Sequence, residues 1–306
     1  MAAPGPTLVF DTDFPPSSGR VEPAAAGLER LTAPNAGPYT FRGTNSFLIG
    51  GEELIVVDPG PDDDRHFEAL LAAIGHRPVR AILLTHTHRD HSALAPRLQA
   101  ATQAPLWFGG PHRLSRPARP LELNPLATDC DWQLRPDRTL VDGDEIGVGG
   151  QALRVVSTPG HCANHLAFAL VGEDWLLTGD HVMGWNSTLV SVPDGSMADY
   201  LASLEKVIAH PATRYLPAHG GTIGDGRGYA RALLAHREHR NAQIVAAVDA
   251  GARSIGELLR VVYPGLPLAV QPAARMTLAA HVEYLADRNR LAVVWAPLGA
   301  AIHPAG

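Results

Sequence analysis

The sequence has few cysteines, no long apolar run and no excess of positive charge. Its two cysteines, Cys130 and Cys162, are too few for the disulfide framework of a secreted domain. Pro, Gly, Asp or Arg interrupts each apolar segment before it reaches the roughly 18 residues that a membrane span needs. The first residues carry neither a basic leader nor an apolar stretch of signal-peptide length. We therefore expect a cytoplasmic protein with no membrane partner.

The charge balance argues against a further class of protein, the nucleic-acid packaging proteins. The chain has 25 Lys and Arg against 31 Asp and Glu, a net charge of -6 at pH 7. Such a chain has no overall attraction for phosphate backbones, which counts against tight nucleic-acid packaging. By contrast, 306 residues with 45% hydrophobic content can bury a substantial core. We expect one large domain with an appendage.

Strand and helix signals alternate along the first 225 residues. Apolar runs bounded by glycine and proline predict short strands, and apolar residues at helical spacing predict helices between them. The predicted strands lie either side of Gly50-Gly51, at 81–84, either side of Gly149-Gly150, and at 166–171, 175–177 and 215–216; the predicted helices lie at 66–74, 91–100 and 198–209. This order predicts an α+β protein with two sheets packed face to face and covered by helices.

The chain changes character after about Asp225 and is mostly helical from Tyr229. Residues 254–257 have the Ser-x-x-Glu form of a capping box, which begins a short helix. A turn at 263–267, a helix at 272–287 and a strand at 291–295 follow. This order is typical of a small winged-helix-like unit. We therefore predict two domains, residues 1–225 and residues 226–306.

The segment Ile82–Leu94 places four potential metal ligands within six positions: His86, His88, Asp90 and His91. Packing does not explain them, because each polar group buried without a partner costs about 1 to 3 kcal/mol. Zinc binds imidazole nitrogen and carboxylate oxygen. The spacing differs from the His-x-x-x-His of helical zinc proteases. The cluster therefore predicts a metal site at a strand-to-helix junction.

Three further candidates lie downstream: His161 in TPGH, Asp180 in TGD and His219 in PAHGG. Each follows an apolar strand and stands beside glycine. Each is therefore expected in a loop at a strand end, on the same sheet edge as the cluster. Seven ligands suit two metal ions.

The motifs THTHRDH, TPGH, TGD and PAHG, in this order over roughly residues 20–225, resemble the signature of the metallo-β-lactamase superfamily. The resemblance implies an αββα sandwich with a dinuclear zinc site at one edge; iron and manganese are alternatives. It implies that His86, His88 and His161 hold one metal. It further implies that Asp90, His91 and His219 hold the second, and that Asp180 bridges both.

The resemblance also implies a hydrolase that uses a hydroxide held between two metals. Two cations about 3.5 to 4 Å apart lower the pKa of bound water towards 7. Asp180 and Asp90 are the candidate catalytic residues, with Asp90 orienting the water or moving its proton. A carboxylate at position 180, where true lactamase classes place a cysteine, favours the bridged centre typical of thioesterases, phosphodiesterases and nucleases. Cys162 is expected to pack in the core.

Several neighbours are candidates for supporting roles. Asp58 ends a strand and is either an acceptor for a ligand histidine or the aspartate of an Asx turn. His165 and His181 adjoin ligand motifs. Trp185 either lines the site or belongs to the core. Ser187 and Thr188 are candidates for hydrogen bonds to a substrate phosphate or carboxylate.

The motifs leave the substrate open, because the same centre serves thioesters, lactams, lactones and phosphodiesters. Together with TPGH-x-x-NH and the GW-x-ST loop, the tail resembles a lactamase-β-like branch that includes single-strand-specific endoribonucleases. Residues 231–295 hold eight arginines against five acids, a net charge of +3. Such an appendage suits a nucleic-acid substrate. Single-stranded RNA is therefore the leading hypothesis.

Two alternatives remain. The first is a small-molecule thioester or lactone hydrolase resembling glyoxalase II, with the tail capping its pocket. The lack of an aromatic stacking platform favours it over RNA. The second is a non-catalytic winged-helix binding protein with a structural metal site. The sequence leaves monomer and homodimer open.

Overall fold

The computed structural model describes residues 8–15, 18–296 and 299–306. Its strands are β1 (Val21–Ala25), β2 (Leu28–Thr32), β3 (Asn45–Gly50), β4 (Leu54–Val57), β5 (Val79–Leu83), β6 (Leu106–Phe108), β7 (Arg138–Thr139), β8 (Glu145–Val148), β9 (Gln151–Ser157), β10 (Leu166–Leu170), β11 (Trp175–Gly179), β12 (Arg214–Pro217), β13 (Leu291–Ala296) and β14 (Gly299–Pro304). Its helices are α1 (Asp64–Ile74), α2 (Arg89–Ser92), α3 (Ala95–Thr102), α4 (Met197–Ala209), α5 (Gly226–Asp249), α6 (Ile255–Val262) and α7 (Gln271–Asp287), with a 3-10 helix at Leu268–Val270.

Two sheets form the body of the protein. The first contains β1 to β7 in chain order, antiparallel up to β4 and parallel from β4 to β7. The second has the order β12-β11-β10-β9-β8, with only β11 and β12 parallel. Parallel neighbours need a crossover connection, which α1 supplies between β4 and β5.

Alternation along the strands creates three apolar layers. On β4, Ile55 and Val57 point into the core between the two sheets, where they meet residues of the second sheet such as Phe168. Leu54 and Val56 point the other way and pack with the residues of α1 and α3. On the outer face of the second sheet, residues of α4, α5 and α7 form the matching layer. The order helix, sheet, sheet, helix agrees with the predicted sandwich.

The C-terminal region has a further core of its own. Residues of α5, α6, α7 and the β13-β14 hairpin form it. The first half of α5 packs on the second sheet through Ala230 and Leu233, while its second half joins the C-terminal core through Ile244 and Val248. Three helices and a two-stranded hairpin are thus present. The winged-helix description and the division at residue 225 stay predictions.

The structure differs from the predicted elements in one helix and in five strands. Residues 91–100 form α2 and α3 rather than one helix, because Pro96 has no N–H to donate to the carbonyl of Ser92, and the Leu94 amide donates instead to the carbonyl of Gly60. The strands β1, β2, β6, β7 and β14 were not predicted. They are two to six residues long. Within the described residues, no helix is long and apolar enough to cross a membrane.

Candidate metal centre and adjoining cavities

Three imidazole nitrogens converge beyond the C-terminal ends of β5 and β9. His86 Nε2 lies 3.0 Å from His88 Nδ1, and His161 Nε2 lies 2.9 Å from the same Nδ1 atom. All three side chains are buried. Their nitrogens are close enough together to ligate one metal ion.

A second group lies beside the first. Asp90 Oδ2 is 3.3 Å from His91 Nε2 and 3.3 Å from His219 Nε2. His219 reaches this point from the loop after β12, while Asp90 and His91 belong to α2. These three residues also have ligand atoms close enough to share one cation.

Asp180, in the loop after β11, faces both groups. Its Oδ1 lies 3.3 Å from His219 Nε2 and 3.6 Å from His91 Nε2. Its Oδ2 lies 3.6 Å from His161 Nε2, on the side of the first group. The seven candidates from four distant loops therefore meet in one place, and the carboxylate of Asp180 has the position that a bridging ligand needs.

Each of the five histidines has a hydrogen-bond partner on its other ring nitrogen. The partners are Thr85 Oγ1 for His86 (3.0 Å), Asp194 for His88 (3.0 Å), Asp58 for His91 (3.0 Å), the Leu189 carbonyl for His161 (2.7 Å) and the Gly43 carbonyl for His219 (3.2 Å). Such partners fix the orientation of a metal-ligating ring. The arrangement leaves one nitrogen of each ring directed into the cluster.

Unpaired atoms test whether metal ions fit here. Among the described residues, His91 Nε2, His219 Nε2 and Asp180 Oδ1 are buried without a hydrogen-bond partner. Buried polar atoms are rarely left so. A cation among them would satisfy all three, and this donor set suits zinc and also accepts iron or manganese. The residues therefore fit a metal pair.

The surroundings shift the pKa values of the ligand rings in opposite directions. Burial lowers the pKa of His161 to about 4 and that of His86 well below its ordinary value, so both rings are neutral, as ligands must be. Burial also disfavours a charged His219, but the carboxylates of Asp180 and Asp90 outweigh it and raise the pKa of His219 to about 10. A cation binding at this ring must displace a proton.

Asp58 is an acceptor for a candidate ligand histidine, His91, which is the first of the two roles that the sequence left open. Its carboxylate accepts hydrogen bonds from the Thr85 amide and hydroxyl, both at 2.7 Å, besides its contact with His91. Its backbone has a φ of 51°, a left-handed conformation that aspartate tolerates better than most residues. Asp58 thus joins the end of β4 to the ring of His91.

Asp194 was missed by sequence reasoning. This buried carboxylate accepts from His88 Nε2 and, at 2.8 Å, from His112 Nε2. Burial raises the pKa of its carboxyl, but hydrogen bonds from His112 and His88 outweigh this and keep that pKa below the usual range. Its sequence context, SVPDGS, looks like an ordinary turn. His112 thus supports the cluster through Asp194.

Glycine is required immediately before Asp180. Gly179 has a φ of 52°, and a Cβ there would lie 2.7 Å from His165 Nε2 and 2.9 Å from the Cβ of Thr85. His165 Nε2 also accepts the amide of Asp180 at 3.1 Å. The close approach of the backbone to His165 therefore sets the position of Asp180.

Two cavities adjoin the cluster. The metal-side cavity, about 280 Å³, is lined by His88, Asp90, His161 and Asp180 among others. The distal cavity, about 290 Å³, is lined by the loop 183–189, by Arg237 and by residues 263–277 of the C-terminal region. The two share the side chains of Tyr39, Met183 and Leu189. The C-terminal region thus forms a wall of a cleft that extends from the cluster.

The candidate substrate residues divide into two kinds. Trp185 stacks on Phe41, with ring centroids 4.9 Å apart and planes at 9°, and both Trp185 and Ser187 line the distal cavity. Thr188 is 1% exposed and lines neither cavity. Its hydroxyl donates to the carbonyls of Asp180 and His181 at 2.8 and 3.0 Å. Thr188 therefore supports the loop of Asp180 rather than facing a substrate.

The remaining neighbours lie outside the cluster. Cys162 is buried, and its thiol donates to Asn164 Oδ1 at 3.2 Å, which agrees with the packing role. His181 packs edge-on against Tyr200, with ring centroids 5.0 Å apart. Neither belongs to the groups whose atoms could share a cation among the described residues.

Comparison with known proteins adds to this geometry. The family model described as the metallo-beta-lactamase superfamily matches residues 39–219. The chain is 28% identical to the lactamase-like protein adaB of Aspergillus niger over 297 residues, covering 90% of this chain and 85% of that protein. It is 27% identical to the atrochrysone carboxyl ACP thioesterase AgnL7 of Paecilomyces divaricatus, covering 75% and 67%. The crystal structure of a metallo-beta-lactamase family protein from Thermus thermophilus superposes with a TM-score of 0.74 and 26% identity, covering 92% and 99%.

Proposed function

Since the chain belongs to the metallo-beta-lactamase superfamily and is a hydrolase of that fold, we propose that it is a dinuclear metal-dependent thioester hydrolase. The observation that carries the proposal is the cluster of seven ligand candidates opening into a cleft with a largely apolar wall. An apolar cleft with a few placed polar groups is typical of sites for small organic groups. Relatives named as thioesterases support this substrate class.

Two sets of residues share the work in this proposal. His86, His88 and His161 would hold one cation and Asp90, His91 and His219 the other, with Asp180 between the two groups. Bound there, such a pair supplies Lewis acidity and lowers the pKa of water towards 7. The Asp90 carboxylate would orient the attacking water or take up its proton, and Tyr39, Met183 and Leu189 would hold the acyl chain beside the cluster.

A non-catalytic role fits the cluster less well. A structural zinc site needs four ligands and excludes water. Here seven candidates form two groups beside an open cavity. The surplus of ligands and the adjacent space both favour chemistry over a structural site.

RNA cleavage, the leading hypothesis from the sequence, becomes the second candidate. Three tail arginines donate to backbone carbonyls: Arg237 to Thr188, Arg240 to Val262 at 2.9 Å and Arg253 to Val248 at 2.6 Å. Of these three, Arg237 is buried. Others, including Arg260 and Arg275, are exposed and could contact a nucleic acid. Residues of the tail wall the cleft, and this favours a small acyl group.

The test is a panel assay of the zinc-loaded protein on acyl thioesters, lactones, RNA oligomers and a chromogenic cephalosporin, with zinc content measured by elemental analysis. We expect thioester hydrolysis that changes little with salt. RNA cleavage that falls steeply with salt, without thioester turnover, would reject the proposal in favour of the second candidate, because phosphate contacts release counterions. Hydrolysis of none of the four classes by protein with two bound zinc ions would reject both.

A further inference from the structure

The distal cavity contains a buried cation. Arg237 projects from α5 and is 1% exposed, although it lines the cavity. Its Nη2 donates to the Thr188 carbonyl, and its Nε is buried without a partner among the described residues. The guanidinium carbon lies 5.3 Å from the ring centroid of Tyr200. Within the described part of the chain, no carboxylate forms an ion pair with Arg237.

The side chains whose pKa Arg237 shifts are basic, namely His236, Arg240 and His281. Burial lowers the pKa of His281 well below its ordinary value, and Arg237 and Arg240 lower it further. His236 responds in the same way, because burial and the same two arginines lower its pKa to about 4. Both imidazoles are therefore neutral at pH 7 and supply no negative charge to the guanidinium.

Such a charge is costly where it stands. A guanidinium remains protonated in proteins, and burying a charge without an opposite charge is strongly unfavourable. One carbonyl acceptor offsets only part of that cost. A carboxylate would supply the missing charge, and guanidinium binds carboxylate through directed N–H groups.

We propose that the distal cavity binds a carboxylate at the far end of the substrate's acyl group, with Arg237 as a specificity-determining residue. This inference rests on the proposed thioester hydrolysis and narrows it to acyl groups that carry an anionic end. The largely apolar lining, including Trp185, Val270 and Ala273, suits the hydrocarbon between the carboxylate and the scissile carbonyl. Tyr39, Met183 and Leu189, shared by both cavities, mark the route of that hydrocarbon.

Arg237 also makes a structural contact, and the experiment must separate its effect from anion binding. The contact with the Thr188 carbonyl holds the loop that carries Leu189, the acceptor for His161. A loop-holding residue affects all substrates alike. A carboxylate-binding residue affects only substrates that carry the charge.

The test uses matched pairs of N-acetylcysteamine thioesters. Each pair consists of the monothioester of a straight-chain dicarboxylic acid, from glutaric to sebacic, and its terminal methyl ester. We expect the zinc-loaded protein to prefer the acid in at least one pair by about 10- to 100-fold in kcat/KM, the range of a charge-assisted hydrogen bond. Arg237→Gln should remove the preference, lowering kcat/KM for the acid about 10- to 100-fold more than for its ester.

Arg231→Gln is the matched control, because Arg231 lies on the same helix, is exposed and does not line the cavity. It should keep the preference. Equal rates for acid and ester in the unaltered protein would overturn the inference. A preference that survives Arg237→Gln, or an equal loss on acids and esters, would also overturn it.

A binding measurement needs neither turnover nor the Arg237 variant. Titration with suberate at fixed ionic strength should change the fluorescence of Trp185, and Trp185→Phe should remove that change. Dimethyl suberate should bind at least about tenfold more weakly. If suberate binds selectively but no thioester is hydrolysed, the proposed function fails while the anion site stands. If suberate and its diester bind alike, the anion site fails.

Discussion

The metal cluster and the distal cavity are built on opposite plans. In the cluster, five imidazoles each have one nitrogen held by a named partner and one directed inward. In the distal cavity, a single buried guanidinium stands among apolar groups with one carbonyl acceptor. The cluster presents several ligand atoms that suit cations, whereas the cavity presents one cation that suits an anion. In our proposals, the cluster determines the class of reaction and the cavity selects the substrate.

Removing the carboxylate of Asp180 should have the largest effect on activity. Asp180→Ala should lower kcat by about three orders of magnitude, because the centre contributes several kcal/mol to catalysis. Elemental analysis should show less than two metals per chain. Asp249→Asn, at the exposed end of α5, should retain full activity and metal. Full turnover by the Asp180 variant would contradict the proposed centre.

Weakening the support of one ligand has a smaller effect. Asp194→Asn loses the charge that receives the His88 and His112 hydrogen bonds, and second partners of this kind are worth about 10- to 100-fold in metal affinity. Zinc affinity, measured by competition with a chromophoric chelator, should fall by that factor. Asp199→Asn, an exposed change on α4, is the control. Unchanged zinc affinity in the Asp194 variant would show that His88 needs no such partner.

Metal removal tests whether the cluster contributes to stability as well as chemistry. A metal present at 100 times its Kd stabilises the folded state by about 2.7 kcal/mol. Chelation should therefore lower Tm by on the order of 5 °C, and added zinc should restore both Tm and activity. The Asp180→Ala protein should respond less. A Tm that ignores chelator and zinc alike would contradict metal binding at this site.

A network of charged side chains anchors α7, the helix whose first half lines the distal cavity. Glu283 of α7 binds Arg116 and Arg119 at contacts of 2.6 Å, joining α7 to the loop before β7. These groups are half-buried, so Glu283→Gln should cost on the order of 1 to 3 kcal/mol in the free energy of unfolding. Denaturant titration measures the change, with the exposed Glu238→Gln as control. Equal effects of the two variants would show that the network contributes little.

The same network predicts a small loss of stability in acid. Hydrogen bonds and charge from Arg116, with help from Arg119, lower the pKa of Glu122 from its ordinary value to about 2. A lowered folded-state pKa gives stability that is complete above the unfolded pKa, near 4.5, and is lost as the pH falls through about 2. Glu122→Gln should flatten that part of the curve of unfolding free energy against pH. An unchanged slope between pH 4.5 and 2 would contradict the assignment.

Local signals made much of this molecule predictable. Apolar runs, most of them bounded by glycine or proline, located β3 to β5 and β8 to β13, and the residues after the strand ends include all seven ligand candidates. The capping box at Ser254 is present, since its hydroxyl accepts the Glu257 amide; Glu257 accepts the amide of Arg253, one residue before the usual position. Strong periodicity and end signals need no tertiary information.

What escaped prediction depends on contacts between distant positions. Asp194 matters only because folding places it against His88, 106 positions earlier. Arg237 looked like one of eight basic residues of a tail, and only its burial against Thr188 distinguishes it. Nucleic-acid binding, the winged-helix description and a homodimer stay predictions. Charge counted along a chain does not show which charges reach solvent.

Helix α5 has a consequence for how the protein unfolds. Because one uninterrupted helix belongs to the layer over the second sheet and to the C-terminal core, neither can come apart while that helix remains intact. A chain cut after Asp225 would keep α4 but expose to water the apolar surface that α5 and α7 cover, and this surface would promote self-association. The catalytic body and its tail should therefore melt in one cooperative step, and evolution of a new tail would have to preserve the first turns of this helix.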